Sequence, residues 1–200
     1  MSKNHYQQAH FLLSVAKLEQ LPGDLGKEVA IVGRSNAGKS SVLNQITQQK
    51  NLARVSKTPG RTQLINIFSI DEQRRLADLP GYGFAKVPAS MQAQWQKLIN
   101  AYLQKRKCLK GVILVMDIRH PFRDLDNKFL AWCNEVGLPV HILLNKVDKL
   151  NRSELVQAEK FAKTAILEYD NDISLQTFSA LKKIGVKELQ DTLDQWFEYK

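Results

Sequence analysis

The chain has 200 residues, 44% hydrophobic and 24% charged, which describes one soluble globular domain large enough to bury a core without staples. No apolar run reaches the roughly 18 residues that a membrane span needs, so an integral membrane protein is excluded. Lys and Arg number 29 against 20 Asp and Glu, a formal net charge of +9; that favours a polyanionic partner such as nucleic acid, a membrane surface or a nucleotide phosphate.

Taken in chain order, the N-terminus MSKNHYQQAH has no apolar stretch behind a basic start. No secretory leader is expected, and the protein is expected to be cytoplasmic and monomeric. Residues 1–22 are expected to form an N-terminal extension packed on a domain of residues 23–200. Val29-Ala30-Ile31-Val32 is a β-branched run that stops at Gly33. Gln63 to Ile70 alternates Leu64, Asn66 and Phe68 with Ile65 and Ile67, as a strand with unlike faces does. Arg75-Leu76-Ala77 runs into Asp78, Gly111 to Met116 into Asp117, Val140 to Leu144 into Asn145, and Gln176-Thr177-Phe178 into Ser179.

Helical spacing lies between these runs. Ser90 is a candidate N-cap for a stripe of Met91, Trp95, Leu98, Ile99 and Tyr102. Asp124 is the candidate cap for Leu125, Phe129, Trp132, Cys133 and Val136, closed by Gly137. Asn151 or Ser153 caps a third helix with Leu155, Phe161, Ala162 and Ile166, and the last carries Val186, Leu189, Leu193, Trp196 and Phe197. Alternating strands and helices predict a mostly parallel six-stranded central sheet with helices on both faces. Ligands bind such sheets at the carboxyl ends of the strands, where each run above has its polar or glycine terminator.

Three of those terminators open motifs. Gly33-Arg34-Ser35-Asn36-Ala37-Gly38-Lys39-Ser40 fits G-x-x-x-x-G-K-S/T, after a strand and before a helix. Such a loop turns backbone N–H groups toward phosphate oxygens, at the positive end of the following helix. Lys39 reaches the β- and γ-phosphates, and the Ser40 hydroxyl is a hard ligand for Mg²⁺. Asp78-Leu79-Pro80-Gly81 can hold that ion through a water and offer the Gly81 N–H to the γ-phosphate. In Asn145-Lys146-Val147-Asp148 the last carboxylate can accept from guanine N1–H and N2–H₂ together, a pair adenine lacks. Asn145 would tie the base loop to the phosphate loop, and the Lys146 stem would lie over the base. Ser179-Ala180-Leu181 would finish the base pocket through backbone N–H groups.

With these motifs in this order, the chain resembles the translation-factor class of small GTPases. Within it, the chain is similar to the EngB (YihA/YsxC) family of bacterial ribosome-biogenesis GTP-binding proteins over roughly residues 10–197. The residues that carry the likeness are Gly33–Ser41, Ser56–Gln63, Asp78–Gly83 with Phe84 and Ala85, Asp117–Pro121, and the ending SALKKIG. The family's base motif more often begins with Thr than with an Asn such as Asn145. The resemblance makes Thr62 the second Mg²⁺ ligand beside Ser40, in a loop that orders with GTP. It makes Lys39, Thr62 and Gly81 the catalytic set. It extends the nucleotide-facing set to Gly60, Arg61, Gln63 and Leu64, and to Phe178, Ser179 and Ala180.

Tyr82 stands where the best-known GTPases carry a water-orienting Gln, and no catalytic role is assigned to it. Slow hydrolysis follows, with the missing group supplied by a partner, another loop residue or a cation. Asn36 is a candidate to help hold K⁺, and equally a turn residue. The resemblance implies binding and slow hydrolysis of GTP, acting on the large ribosomal subunit or its precursors, with effects on division and septation. A nucleotide-regulated RNA-binding assembly protein without significant hydrolysis is the alternative, and a P-loop small-molecule kinase a more distant one. Lys105-Arg106-Lys107 with Lys110, and Lys182-Lys183 with Lys187, are candidate rRNA-facing clusters. Cys108 and Cys133 have no CxxC spacing, and the four histidines have no ligand spacing.

Overall fold

The computed structural model describes residues 4–53, 64–82 and 89–199, with the side chains of 89–96 outside that description. Its strands are β1 (His10–Val15), β2 (Lys27–Gly33), β3 (Ile65–Ser69), β4 (Arg74–Asp78), β5 (Leu109–Asp117), β6 (Val140–Asn145) and β7 (Ile173–Phe178). Its helices are α1 (Lys39–Thr47), α2 (Ala89–Lys105), α3 (Asp124–Glu135), α4 (Arg152–Ala165) and α5 (Val186–Phe197). The strands form one sheet in the order β1-β3-β4-β2-β5-β6-β7. β1 and β4 run antiparallel to β3, and the remaining pairings are parallel.

Six strands were expected, and the described residues form a seven-stranded sheet. The addition is β1, whose sequence HFLLSV does not alternate and whose Phe11 and Leu12 are 51% and 42% exposed. Its apolar residues fall on both faces of an edge strand, so neither the alternation of a half-buried strand nor the β-branched run of a central one marks it.

Alternation along the central strands feeds two cores. Ala30, Val32, Val112 and Leu114 point to the side covered by Tyr102 of α2, Leu130 of α3 and Ala162 of α4. Val29, Ile31, Ile113 and Val115 point to the side covered by Leu43 of α1 and Leu189, Leu193 and Phe197 of α5. Burial of so many Val, Ile and Leu side chains, each contributing about 1.5–3 kcal/mol, is what stabilises the stack. No helix of the described residues is long and apolar enough to cross a membrane.

Some local readings shift. α3 is capped at Arg123, with Asp124 already inside it, and Leu125 and Val136 are 42% and 49% exposed. The apolar stripe is therefore buried in its middle, at Leu130 and Cys133, and solvated at its two ends. Ser90 lies inside α2 and is not its cap; Met91 and Trp95 lie outside the described side chains. At α4, Asn151 is the cap, accepting from Glu154 N at 3.0 Å while Glu154 Oε2 accepts from Asn151 N at 2.8 Å.

The end of the sheet away from the carboxyl ends of β2 and β4 holds a buried charge cluster. Glu28, at the start of β2, is fully buried. It accepts from Arg106 Nε at 2.9 Å, Arg106 Nη2 at 3.0 Å, Arg75 Nε at 3.0 Å and Tyr102 Oη at 2.6 Å. Arg106 is thus not part of a solvated basic face, as its charged neighbours suggest; Lys105, Lys107 and Lys110 are exposed around it.

Candidate functional site

Between β2 and α1 the chain makes a tight loop whose backbone decides its residue types. Asn36 and Gly38 adopt φ 63° and 106°, the left-handed region that Gly adopts freely and Asn tolerates. A Cβ on Gly38 would lie 2.3 Å from Asn145 Nδ2. The Lys39 amine donates back across the loop to the carbonyls of Gly33 at 3.2 Å and Arg34 at 3.4 Å. Burial pushes that amine below its ordinary pKa, and the Asp78 carboxylate opposes the shift. Ser40 follows in the first turn of α1, half-buried.

Pairing of Ile31 with Asp78 in the parallel β2–β4 ladder places Asp78 beside this loop. Burial raises its carboxyl to about 6, with Lys39 pulling the other way. Asp78 Oδ1 is buried and finds no hydrogen-bond partner among the described residues. A buried orphan oxygen next to a hydroxyl-bearing helix turn suits a hard cation or its bound water, so the residues present fit Mg²⁺.

The chain then stays on the loop. Ser35 N donates to Tyr82 O at 3.0 Å and Tyr82 N to Gly33 O at 3.3 Å. A Cβ on Gly81 would stand 2.7 Å from Lys39 Nζ and 3.1 Å from Ser35 N, so a side chain there would push the lysine amine aside and crowd the loop backbone. Tyr82 turns its hydroxyl to Asp126 Oδ1 of α3 at 2.6 Å, with its ring stacked on Phe129. The phenol is engaged there.

The third strand end brings the base motif in. Asn145 Nδ2 donates to Ala37 O at 2.8 Å. The Lys146 amine donates to Asn36 O at 2.7 Å and to Asp117 Oδ2 at 2.9 Å. Asp117, held well below the usual carboxylate range against the pull of burial by Arg119 and Lys146, therefore fixes the lysine that bridges the two loops. Sequence reasoning gave Asp117 no role, although it ends a strand just as Asp78 does. Asp148 Oδ1 accepts from Ser179 Oγ at 2.5 Å, and that same oxygen of Ser179 accepts from Lys182 N at 3.0 Å. The hydrogen bond from Ser179 lowers the Asp148 pKa, which keeps an ionised acceptor in the pocket. Ser179 and Ile184 exchange both backbone hydrogen bonds at 3.1 Å, closing the loop that Ser179, Ala180 and Leu181 begin.

The fold thus gathers Gly33, Arg34, Ser35, Asn36, Ala37, Gly38, Lys39 and Ser40 with Asp78, Gly81, Asn145, Lys146, Asp148 and Ser179 at one end of the sheet. Leu79, Val147 and Phe178 turn into the core at 1%, 7% and 0% exposure, and Pro80 is buried. What they offer a ligand is backbone. Ala180 is half-buried, and Leu64 stands 37% exposed just before β3. Gly60, Arg61, Thr62 and Gln63 lie outside the described residues.

Known proteins match this arrangement. The protein family described as "50S ribosome-binding GTPase" matches residues 28–146, and the elongation factor Tu GTP binding domain matches residues 99–199. The chain is 53% identical over 195 residues to a probable GTP-binding protein EngB of Mannheimia succiniciproducens, covering 98% of this chain and 95% of that one. Its counterpart in Pasteurella multocida is 52% identical with the same coverage. Among solved structures, a probable GTP-binding protein engB superposes with TM-score 0.65 at 22% identity, covering 86% of this chain and all of that one. Era in complex with MgGDPNP and nucleotides 1506–1542 of 16S ribosomal RNA superposes with TM-score 0.66 at 21% identity, covering 86% of this chain and 57% of that one.

Proposed function

The chain belongs to the EngB family of GTP-binding proteins and is a P-loop GTPase, and from that premise we propose that it is a nucleotide switch for assembly of the large ribosomal subunit. The observation that carries the nucleotide part is the meeting of the Gly33–Ser40 loop, Asp78–Gly81 and Asn145–Asp148 through Asn145–Ala37 and Lys146–Asn36. In this reading Asp148 selects guanine, Ser179 holds Asp148, and the Ala180 N–H meets the base carbonyl. The Lys39 amine leaves the loop carbonyls for the β- and γ-phosphates. Ser40 and Thr62 would hold Mg²⁺, and Asp78 would reach it through a water. When bound, that ion neutralises charge on the phosphate oxygens as the γ-phosphoryl group transfers.

Gly81 N–H faces the γ-phosphate. No glutamine follows it, and the Tyr82 hydroxyl is held by Asp126, so intrinsic hydrolysis is slow until a partner or a cation adds the missing group. Asn36 is the loop residue that would help hold K⁺. The target reading is supported by the "50S ribosome-binding" description of the matching family and the net charge of +9. Exposed Lys182 and Lys183 lie on the same loop as Ser179, so basic surface and base pocket are adjacent. Through ribosome assembly the protein would serve growth, division and septation, acting as a cytoplasmic monomer.

The test is co-sedimentation of the protein with purified ribosomal subunits across a salt series, with a non-hydrolysable GTP analogue or GDP. Binding to the large subunit or its precursors is expected to be tighter with the GTP analogue. It should fall steeply with salt, because phosphate contacts release counterions. Association indifferent to nucleotide would remove the switch, and preference for the small subunit would remove the target.

A further inference from the structure

Behind the base pocket lies a polar chain that the reading above does not use. His141 on β6 and Gln176 on β7 are each 3% exposed, on the side of the sheet that α5 covers. The Gln176 amide nitrogen donates to Gly185 O at 2.8 Å and Thr177 O at 3.3 Å. Because both its protons point to carbonyls, its Oε1 must accept, and it does so from His141 Nε2 at 2.9 Å. That assigns the imidazole tautomer: Nε2 carries the proton, and Nδ1 accepts from the Ser174 hydroxyl at 2.7 Å. Burial lowers the His141 pKa, in keeping with a neutral ring. Every donor in the chain runs one way, from Ser174 to His141 to Gln176 to the backbone of Gly185.

The neighbours on this face, Leu143 and Phe178, are apolar and fully buried, so packing alone does not call for a histidine and a glutamine here. Nor does Gly185 O need the amide, since it already accepts from Leu189 N at 3.1 Å in the first turn of α5. Fixing a position is what the extra bond adds. Gly185 has φ 76°, and a Cβ there would fall 2.5 Å from the Gln176 amide nitrogen. It is also where the Ser179–Ile184 loop returns to the fold. The loop is therefore held at its entry by Ser179 on Asp148 and at its exit by Gln176 on Gly185.

We propose that Gln176, oriented by His141, is a positioning residue for guanine recognition, setting the height of the Ser179–Gly185 loop over the base. The proposal rests on the reading of Asp148, Ser179 and Ala180 as the guanine pocket.

The experiment compares GDP and ADP affinities of the full chain, by titration calorimetry, for wild type, Gln176→Met, His141→Leu and Asp148→Asn, with a thermal melt of each. Gln176→Met keeps length and apolar contact while removing donor and acceptor. It is expected to weaken GDP by about tenfold, the scale of one or two hydrogen bonds, and to leave ADP unchanged, so the GDP-to-ADP preference falls. His141→Leu leaves the amide in place without its donor and should give a smaller fall in the same direction; it carries the test if Gln176→Met does not fold. A lowered melting temperature with the wild-type GDP-to-ADP preference in both variants would overturn the proposal. If Asp148→Asn itself keeps the guanine preference, the pocket reading has failed, which is a separate result.

Discussion

Asn145 Nδ2 and Ala37 O lie 2.8 Å apart although 108 residues separate them in the chain. This bond ties the base loop to the phosphate loop, and Gly38 is shaped to let it form. Asn145→Ala is expected to weaken GDP and GTP alike, by about 1–3 kcal/mol, since a buried carbonyl loses its partner and the two loops lose their common anchor. Stopped-flow binding of fluorescent nucleotides checks it: equal loss for both nucleotides is expected, and a loss confined to GTP would contradict the tie.

Asp148→Asn is expected to weaken GTP by several kcal/mol, because guanine's two donors lose an ionised acceptor. Xanthine nucleotides should gain, because xanthine presents a carbonyl where guanine has its amino group. Competition binding with GTP, XTP and ATP reads both effects. Wild-type GTP affinity in the variant would place the base elsewhere.

Ser40→Ala is expected to impair Mg²⁺-dependent binding of both nucleotides. Thr62→Ala should spare GDP more than GTP if Thr62 meets the ion only in the triphosphate state, as proposed. Equal losses in Thr62→Ala would count against that role. Phosphate release should be faster in KCl than in NaCl at equal ionic strength if Asn36 helps hold K⁺; equal rates would leave Asn36 as the turn residue its φ of 63° already explains.

Glu28 supplies the pH dependence. Burial alone would raise its carboxyl, but hydrogen bonds from Arg106, Tyr102 and Arg75 outweigh burial and hold it below the ordinary value. A folded-state pKa below the unfolded one adds stability that is complete above about pH 4.3 and is lost as pH falls through the folded pKa. Glu28→Gln should therefore cost about 3–5 kcal/mol at neutral pH, by leaving two buried guanidinium groups short of charge. It should also flatten the acid limb of stability. Urea melts at pH 7 and pH 4 of both proteins test this; an unchanged acid limb in the variant would assign the acid sensitivity to another group.

The strand ends were legible in the sequence because each buried run stops at a glycine or polar residue: Gly33, Asp78 and Asn145 end β2, β4 and β6, and Ser179 follows β7. The nucleotide loops were legible for the same reason, their spacing being local. Partnerships across the fold were not. Arg106 reads as one more surface charge until Glu28, 78 residues away, is seen beneath it. Asp117 reads only as the end of a strand run until Lys146, just past the end of β6, reaches it. β1 was missed because its apolar residues do not alternate with polar ones and two of them, Phe11 and Leu12, face solvent.

The Glu28 cluster also has a mechanical meaning. Tyr102 and Arg106 fasten the last turn of α2 to the foot of the sheet, while the first residue of that helix, Ala89, follows the Gly81–Tyr82 stretch by only a few positions. A 17-residue helix is a rod of about 25 Å at 1.5 Å per residue. Leu98, Ile99 and Leu103 seat the same stretch of the rod on the apolar face of the sheet, so its C-terminal end is held by charge and by packing together, and the Glu28 cluster is a fixed point of the fold.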